Sequence, residues 1–120
     1  MRVLIVESES VLARKWAAHL NRLGWDVRIA QDQATAIEVL QTEAVQMMLL
    51  DLDLASGSAL AIADYAGFRQ PQLRVVFVTN RRVFSDGSIF RHCANACAFL
   101  PTGAPVDDLA ALVEHYAQAA

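Results

Sequence analysis

The sequence predicts an α/β domain built on a mostly parallel sheet, and three observations carry that prediction. Short, wholly apolar runs at 3–6, 47–50 and 75–78 read as strands buried on both faces. Between such runs lie segments whose apolar residues recur three and four apart, the spacing of one helical face. The chain has 120 residues, 55 % of them hydrophobic, which suits one domain with a sizeable core.

The elements follow in order. The first strand, 3–6, ends at Glu7, and Ser8 or Ser10 is placed to cap the next helix. Leu12, Trp16, Leu20 and Leu23 line one face of that helix, and Gly24 stands where a helix stop is expected. Trp25, Val27 and Ile29 alternate with Asp26 and Arg28, which gives a second strand with one polar face, suited to a sheet edge. Asp32 caps a short helix carrying Ile37 and Leu40. The run 47–50 then meets Asp51 and reads as the central strand. Residues 52–58 form a polar loop, and 59–68 a helix ended by Gly67 or Pro71. A fourth strand, 75–78, closes on Thr79 and Asn80. A loop over 81–85 leads to a fourth helix that starts at Ser85 or Asp86 and runs to about Cys93. A last strand at 96–100, a loop at 101–105 and a final helix from Val106 to about Ala117 complete the chain. In that helix Leu109, Leu112, Val113 and Tyr116 share one side. Trp16 and Trp25 read as packing residues.

Five strands alternating with five helices imply a single doubly wound domain over 1–120, with helices on both faces of a five-stranded parallel sheet. Right-handed crossovers leave few topologies, and the flavodoxin-like order 2-1-3-4-5 is among the commonest. Strands 1 and 3 then flank the switch point, where ligands sit beyond the carboxyl ends.

Composition narrows the partners. The formal net charge is −3 and no Lys/Arg run forms a basic stripe, which argues against nucleic acid. No apolar stretch reaches a membrane span, because Asp51 and Asp53 break the longest candidate. The first residues lead directly into a strand, with no leader-like stretch, so a cytoplasmic location is expected. Two cysteines, Cys93 and Cys97, make no disulfide framework. With His92 they lack a fourth ligand, which disfavours a zinc site, and nothing nearby lowers a thiol pKa for redox work.

The strand ends gather Glu7 and Ser8, Asp51 and Asp53, Thr79 and Asn80, and Leu100 with Thr102 at one edge. Converging carboxylates suit a divalent cation, since hard cations take oxygen ligands. A bound cation lowers the cost of placing a phosphoryl group on Asp51, and a threonine hydroxyl can hydrogen-bond its oxygens.

From 2 to about 116 the chain resembles the receiver domains of two-component response regulators. The resemblance rests on Val3-Leu4-Ile5-Val6-Glu7-Ser8-Glu9, Leu49-Leu50-Asp51-Leu52-Asp53-Leu54, Val76-Phe77-Val78-Thr79 and Ala98-Phe99-Leu100-Pro101. It implies that Asp51 is the phosphoacceptor, Thr79 the switch hydroxyl and Phe99 the switch aromatic. It implies a histidine kinase or phosphotransfer protein as donor. It also implies a downstream protein partner, or a homodimer, on the face made by the fourth helix, fifth strand and fifth helix. Such a chain is a substrate and switch more than an enzyme.

Three departures from the family pattern stand out. The two adjacent acids that hold Mg²⁺ after strand 1 are here Glu7 and Ser8, which weakens Mg²⁺ binding unless Asp53 supplies charge. The metal set expected is Glu7, Asp51 and Asp53, with Ser8 as a weak neutral ligand. The lysine usual after strand 5 is replaced by Thr102, which donates a hydrogen bond without charge, and an ionic hydrogen bond is worth about 1.5–3 kcal/mol. Asn80 stands where a small residue is usual, and Arg81 or Arg82 could restore positive charge. These departures motivate an alternative: a pseudo-receiver that binds partners without phosphorylation. A flavin-binding protein is disfavoured, because Glu7-Ser8-Glu9-Ser10 lacks glycine and sets two acids where a phosphate would dock.

Overall fold

A computed structural model describes residues 1–79 and 95–118. The predicted loop 81–85 and the helix after it lie outside the described residues, as do Asn80, Arg81, Arg82, His92 and Cys93. The elements are β1 (Arg2–Val6), α1 (Ser10–Arg22), β2 (Asp26–Ala30), α2 (Gln33–Thr42), β3 (Met47–Asp51), α3 (Ala59–Arg69), β4 (Arg74–Val78), β5 (Ala96–Leu100) and α4 (Val106–Gln118). The sheet order is β2-β1-β3-β4-β5. Every neighbouring pair is parallel, as the sequence predicts.

Alternation along the strands builds two cores. Leu4, Val6, Met48, Leu50, Val75 and Phe77 point to the layer that holds α2 and α3. Val3, Ile5, Met47, Leu49, Val76 and Val78 point to the layer that holds α1 and α4. β3 is buried along its whole length, so its apolar run needs no polar face. β2 lies at the edge as expected, but its alternation is not kept: Ile29 is exposed while Arg28 is half-buried, held by Asp26 and Glu43.

Local chemistry sets the helix ends, and several differ from expectation. α1 is not capped by Ser8 or Ser10: its N-cap is Glu9, with no side-chain capping bond. The Ser8 hydroxyl accepts from the Ala55 amide instead, and Ser10 is already inside the helix. Leu23 does not join the buried face: it is the C-cap and half exposed, because the chain turns away through Gly24 at φ +95°. The Asp32 cap is as expected, accepting from the Thr35 amide at 2.8 Å. Gly67 stays inside α3, so Pro71 rather than Gly67 marks the stop beyond Arg69. Trp16 and Trp25 are both buried, and Trp25 Nε1 also donates to Glu114 Oε1 of α4 at 2.7 Å.

Gln70, just past α3, locks α2 to the sheet. Its Nε2 donates to the Leu40 and Glu43 carbonyls at 3.0 and 2.8 Å, and its Oε1 accepts from Val45 N at 2.8 Å. One side chain thus satisfies backbone groups at the end of α2 and the start of β3. Gln70→Ala is expected to cost about 2–3 kcal/mol in urea unfolding, the sum of three net hydrogen bonds. A change below about 0.5 kcal/mol would show that water replaces the side chain at no cost.

Candidate functional site

The parallel sheet brings the carboxyl ends of β1, β3, β4 and β5 to one edge. Glu7 follows β1, Asp51 ends β3 and Thr79 follows β4, and all three are buried. Backbone bonds fix this edge: Glu7 N donates to Ala30 O, Leu52 N to Val78 O, and Thr79 N to Leu100 O, all within 2.9–3.0 Å.

Glu7 and Asp51 face one another. Glu7 is only 3 % exposed. Its Oε1 accepts from the Glu9 amide at 3.1 Å, and its Oε2 is buried without a hydrogen-bond partner among the described residues. Burial, helped by the Asp51 carboxyl beside it and by repulsion from Glu9, pushes the Glu7 carboxyl up to about 7. The Glu9 amide opposes that rise. Two carboxylates this close cannot both stay charged cheaply, so a proton or a cation belongs between them.

Asp53 bridges two parts of the site. Its amide donates to Asp51 Oδ1 at 2.8 Å, while its carboxylate Oδ2 accepts from the Thr79 hydroxyl at 3.2 Å. The expected ligand set is therefore dispersed: Glu7 and Asp51 lie together, Asp53 turns to Thr79, and Ser8 turns to Ala55 N at 3.4 Å. Among the described residues no three acidic, His or Cys side chains form a ready cation cage. Mg²⁺ needs no such cage, since it is held by one or two carboxylates and keeps several waters. The orphaned Glu7 Oε2 beside Asp51 fits that pattern.

Thr102 is half-buried in the turn after β5, where Ala104 N donates to Pro101 O. Phe99, on β5, is half-buried and packs against the α2–α3 core. Arg2 and Arg28 are engaged far from this edge, in ion pairs with Asp26 and Glu43 at the other end of β1 and β2. Cys97 is half-buried, and burial raises its thiol to about 11, which makes it a poor nucleophile at neutral pH.

Gln33 was not legible as a site residue. Its Oε1 accepts from Ser58 N at 2.8 Å across the loop that follows Asp51. That loop passes so close that a Cβ on Gly57, at φ +89°, would meet Gln33 Cβ at 2.6 Å. A contact 25 residues apart leaves no local pattern in the sequence.

Comparison with known proteins agrees with this geometry. The family model for the response regulator receiver domain matches residues 3–99. Over 78 residues the chain is 32 % identical to the alginate biosynthesis transcriptional regulatory protein AlgB of Pseudomonas putida, covering 65 % of this chain and 17 % of that protein. It is equally identical, over 78 residues, to the response regulator PilR of Pseudomonas aeruginosa, covering 65 % of this chain and 18 % of that protein. The chain thus spans less than a fifth of these relatives. A CheY-like receiver domain protein from Methanospirillum hungatei superposes with a TM-score of 0.89 at 19 % identity, over 98 % of this chain and 94 % of that one. A Burkholderia pseudomallei response regulator, whose structure holds a phosphorylated aspartic acid, calcium ion and citrate, gives 0.81 at 21 % identity, over 98 % and 73 %. At these identities the two structures show a shared fold. With its strand order and a family match over most of its length, the chain belongs to the response regulator receiver domains.

Proposed function

We propose that this chain is a single phosphoacceptor domain over 1–120, receiving a phosphoryl group on Asp51 from a histidine kinase or phosphotransfer protein. The observation that carries this reading is the buried Glu7–Asp51 pair at the end of the central strand, with Glu7 Oε2 left without a partner among the described residues. Asp51 Oδ1 accepts the Asp53 amide, which leaves Oδ2 as the attacking oxygen. The P–N bond of a ring-protonated phosphohistidine breaks, the P–O bond to Asp51 forms, and neutral imidazole leaves. Bound Mg²⁺ would neutralise charge on the transferring oxygens. Glu7 and Asp51 would hold it, with Asp53 as a further acid and Ser8 as a weak neutral ligand. Thr79 would then hydrogen-bond a phosphoryl oxygen, with Phe99 following the shift and Thr102 in place of the usual lysine.

The chain acts as a switch in this reading, not as an enzyme. A downstream protein, or a second copy, reads the face made by β5, α4 and the helix predicted before β5. No helix among the described residues is long and apolar enough to cross a membrane. A cytoplasmic role without nucleic-acid contact by this domain follows from the proposed donor and the acidic charge.

The pseudo-receiver reading has a specific observation in its favour: the Ser8 hydroxyl is spent on the Ala55 amide, at a position where the family resemblance implies a second acid. Incubation with acetyl phosphate and Mg²⁺ followed by intact mass separates the two. The expected result is a gain of one phosphoryl group that Asp51→Asn abolishes. No gain under conditions that label an ordinary receiver, and none from any histidine kinase tried, would favour the pseudo-receiver.

A further inference from the structure

Asp53 holds both ends of the proposed switch. Its backbone N–H grips Asp51 Oδ1 at 2.8 Å, and its carboxylate takes the Thr79 hydroxyl at 3.2 Å. Thr79 is 3 % exposed, so its hydroxyl is held inside the pocket. β3 and β4 run side by side here, with Asp51 registered on Val78, which keeps Asp53 and Thr79 within reach of each other. A threonine hydroxyl carries one proton. It donates to Asp53 or to an oxygen on a phosphorylated Asp51, but not fully to both.

We propose that Asp53 is an internal competitor for the Thr79 hydroxyl, holding the pocket in its empty arrangement until a phosphoryl group on Asp51 displaces it. This rests on the reading of Asp51 as the acceptor. A ligand that needs the hydroxyl binds more weakly by the fraction of time that hydroxyl is free. Release of Asp53 also has a direction. The loop that carries it is tied to Ser8 through Ala55 N and to α2 through Gln33 and Ser58 N. Displacing its carboxylate therefore perturbs the start of α2.

Asp53 is exposed, so replacing it does not open the core. The first measurement needs no phosphoryl group: three-bond couplings of the Thr79 side chain by NMR in metal-free protein. One rotamer is expected in the wild type and averaging in Asp53→Ala. The second is fluoroberyllate titration at saturating Mg²⁺, with Mg²⁺ affinity measured separately. Asp53→Ala is expected to tighten fluoroberyllate binding about three- to tenfold, and to give no such gain in a Thr79→Val background. Asp53→Asn, which keeps an acceptor oxygen, is expected to fall between. Unchanged Thr79 couplings, or equal or weaker fluoroberyllate binding in Asp53→Ala, would overturn the competitor role. If neither protein binds fluoroberyllate, the acceptor reading of Asp51 fails and the competitor role falls with it, whereas a failure confined to the couplings leaves Asp51 untouched.

Discussion

Without divalent cations the protein is expected to lose about 2–3 kcal/mol of stability as pH rises from about 5 to about 8, and Glu7→Gln to remove most of that loss. The sign follows from where the proton prefers to be. Burial lifts the Glu7 carboxyl from an ordinary 4.5 to about 7 in the folded protein. Between those values the folded chain binds more protons than the unfolded chain, so unfolding becomes easier as pH climbs. The stability present below 4.5 is gone once pH passes the folded value of about 7. Glutamine keeps the shape and accepts the Glu9 amide, but it never has to lose a proton beside Asp51. Asp26 does not interfere, because Arg2 and Arg28 lower it, and its effect lies on the acid side of this window. Mg²⁺ should reverse the trend by replacing the shared proton, stabilising the wild type more at pH 8 than at pH 5. In Glu7→Gln that gain should shrink, with Mg²⁺ affinity reduced about tenfold or more, since one carboxylate ligand is lost. Urea unfolding in chelator across this pH range, with and without Mg²⁺, is the measurement. A flat wild-type curve, or a slope that Glu7→Gln leaves unchanged, would mean that Glu7 does not share a proton with Asp51.

The sequence makes the strands legible because burial on both faces permits only apolar residues. The runs 47–50 and 75–78 therefore stand out without any alternation, and each structural strand merely extends its run by one residue. Placing Glu7, Asp51 and Thr79 at one edge needs only that all strands run the same way. What spacing cannot give is where a polar side chain turns. Ser8 reads as a helix cap or a weak metal ligand, yet its hydroxyl faces an amide 47 residues away. Asp53 reads as spare charge for a cation, yet its carboxylate reaches Thr79, just past the neighbouring strand. Leu23 reads as the last residue of an apolar stripe, but Gly24 ends the helix first. Each miss is a choice among several polar partners, or a boundary of one residue, made by tertiary contacts that leave no period in the chain.

The sheet beneath the pocket should be its stiffest support, and Phe77→Ala should show how far. Ala30, Val6, Leu50, Phe77 and Phe99 are registered neighbours on five successive strands, one row below the acidic edge. Phe77 is fully buried in that row, between Leu50 and Phe99. Truncation removes a whole ring from a core layer whose neighbours are fixed by backbone ladders and cannot collapse into the gap. The expected cost is about 3–5 kcal/mol. For a chain of this size that lowers Tm by about 15 °C or more. Phe77→Leu, which keeps most of the volume, should cost no more than about 1.5 kcal/mol. The row also links stability to the site: Phe99 packs against the same core, so the cavity gives its ring room to move. Broadening of Phe99 ring resonances in Phe77→Ala, with Trp16 in the opposite layer unchanged, would place the effect in this row. A loss below about 1.5 kcal/mol, or equal disturbance of Trp16, would show that the two layers relax together and that the pocket does not rest on this row.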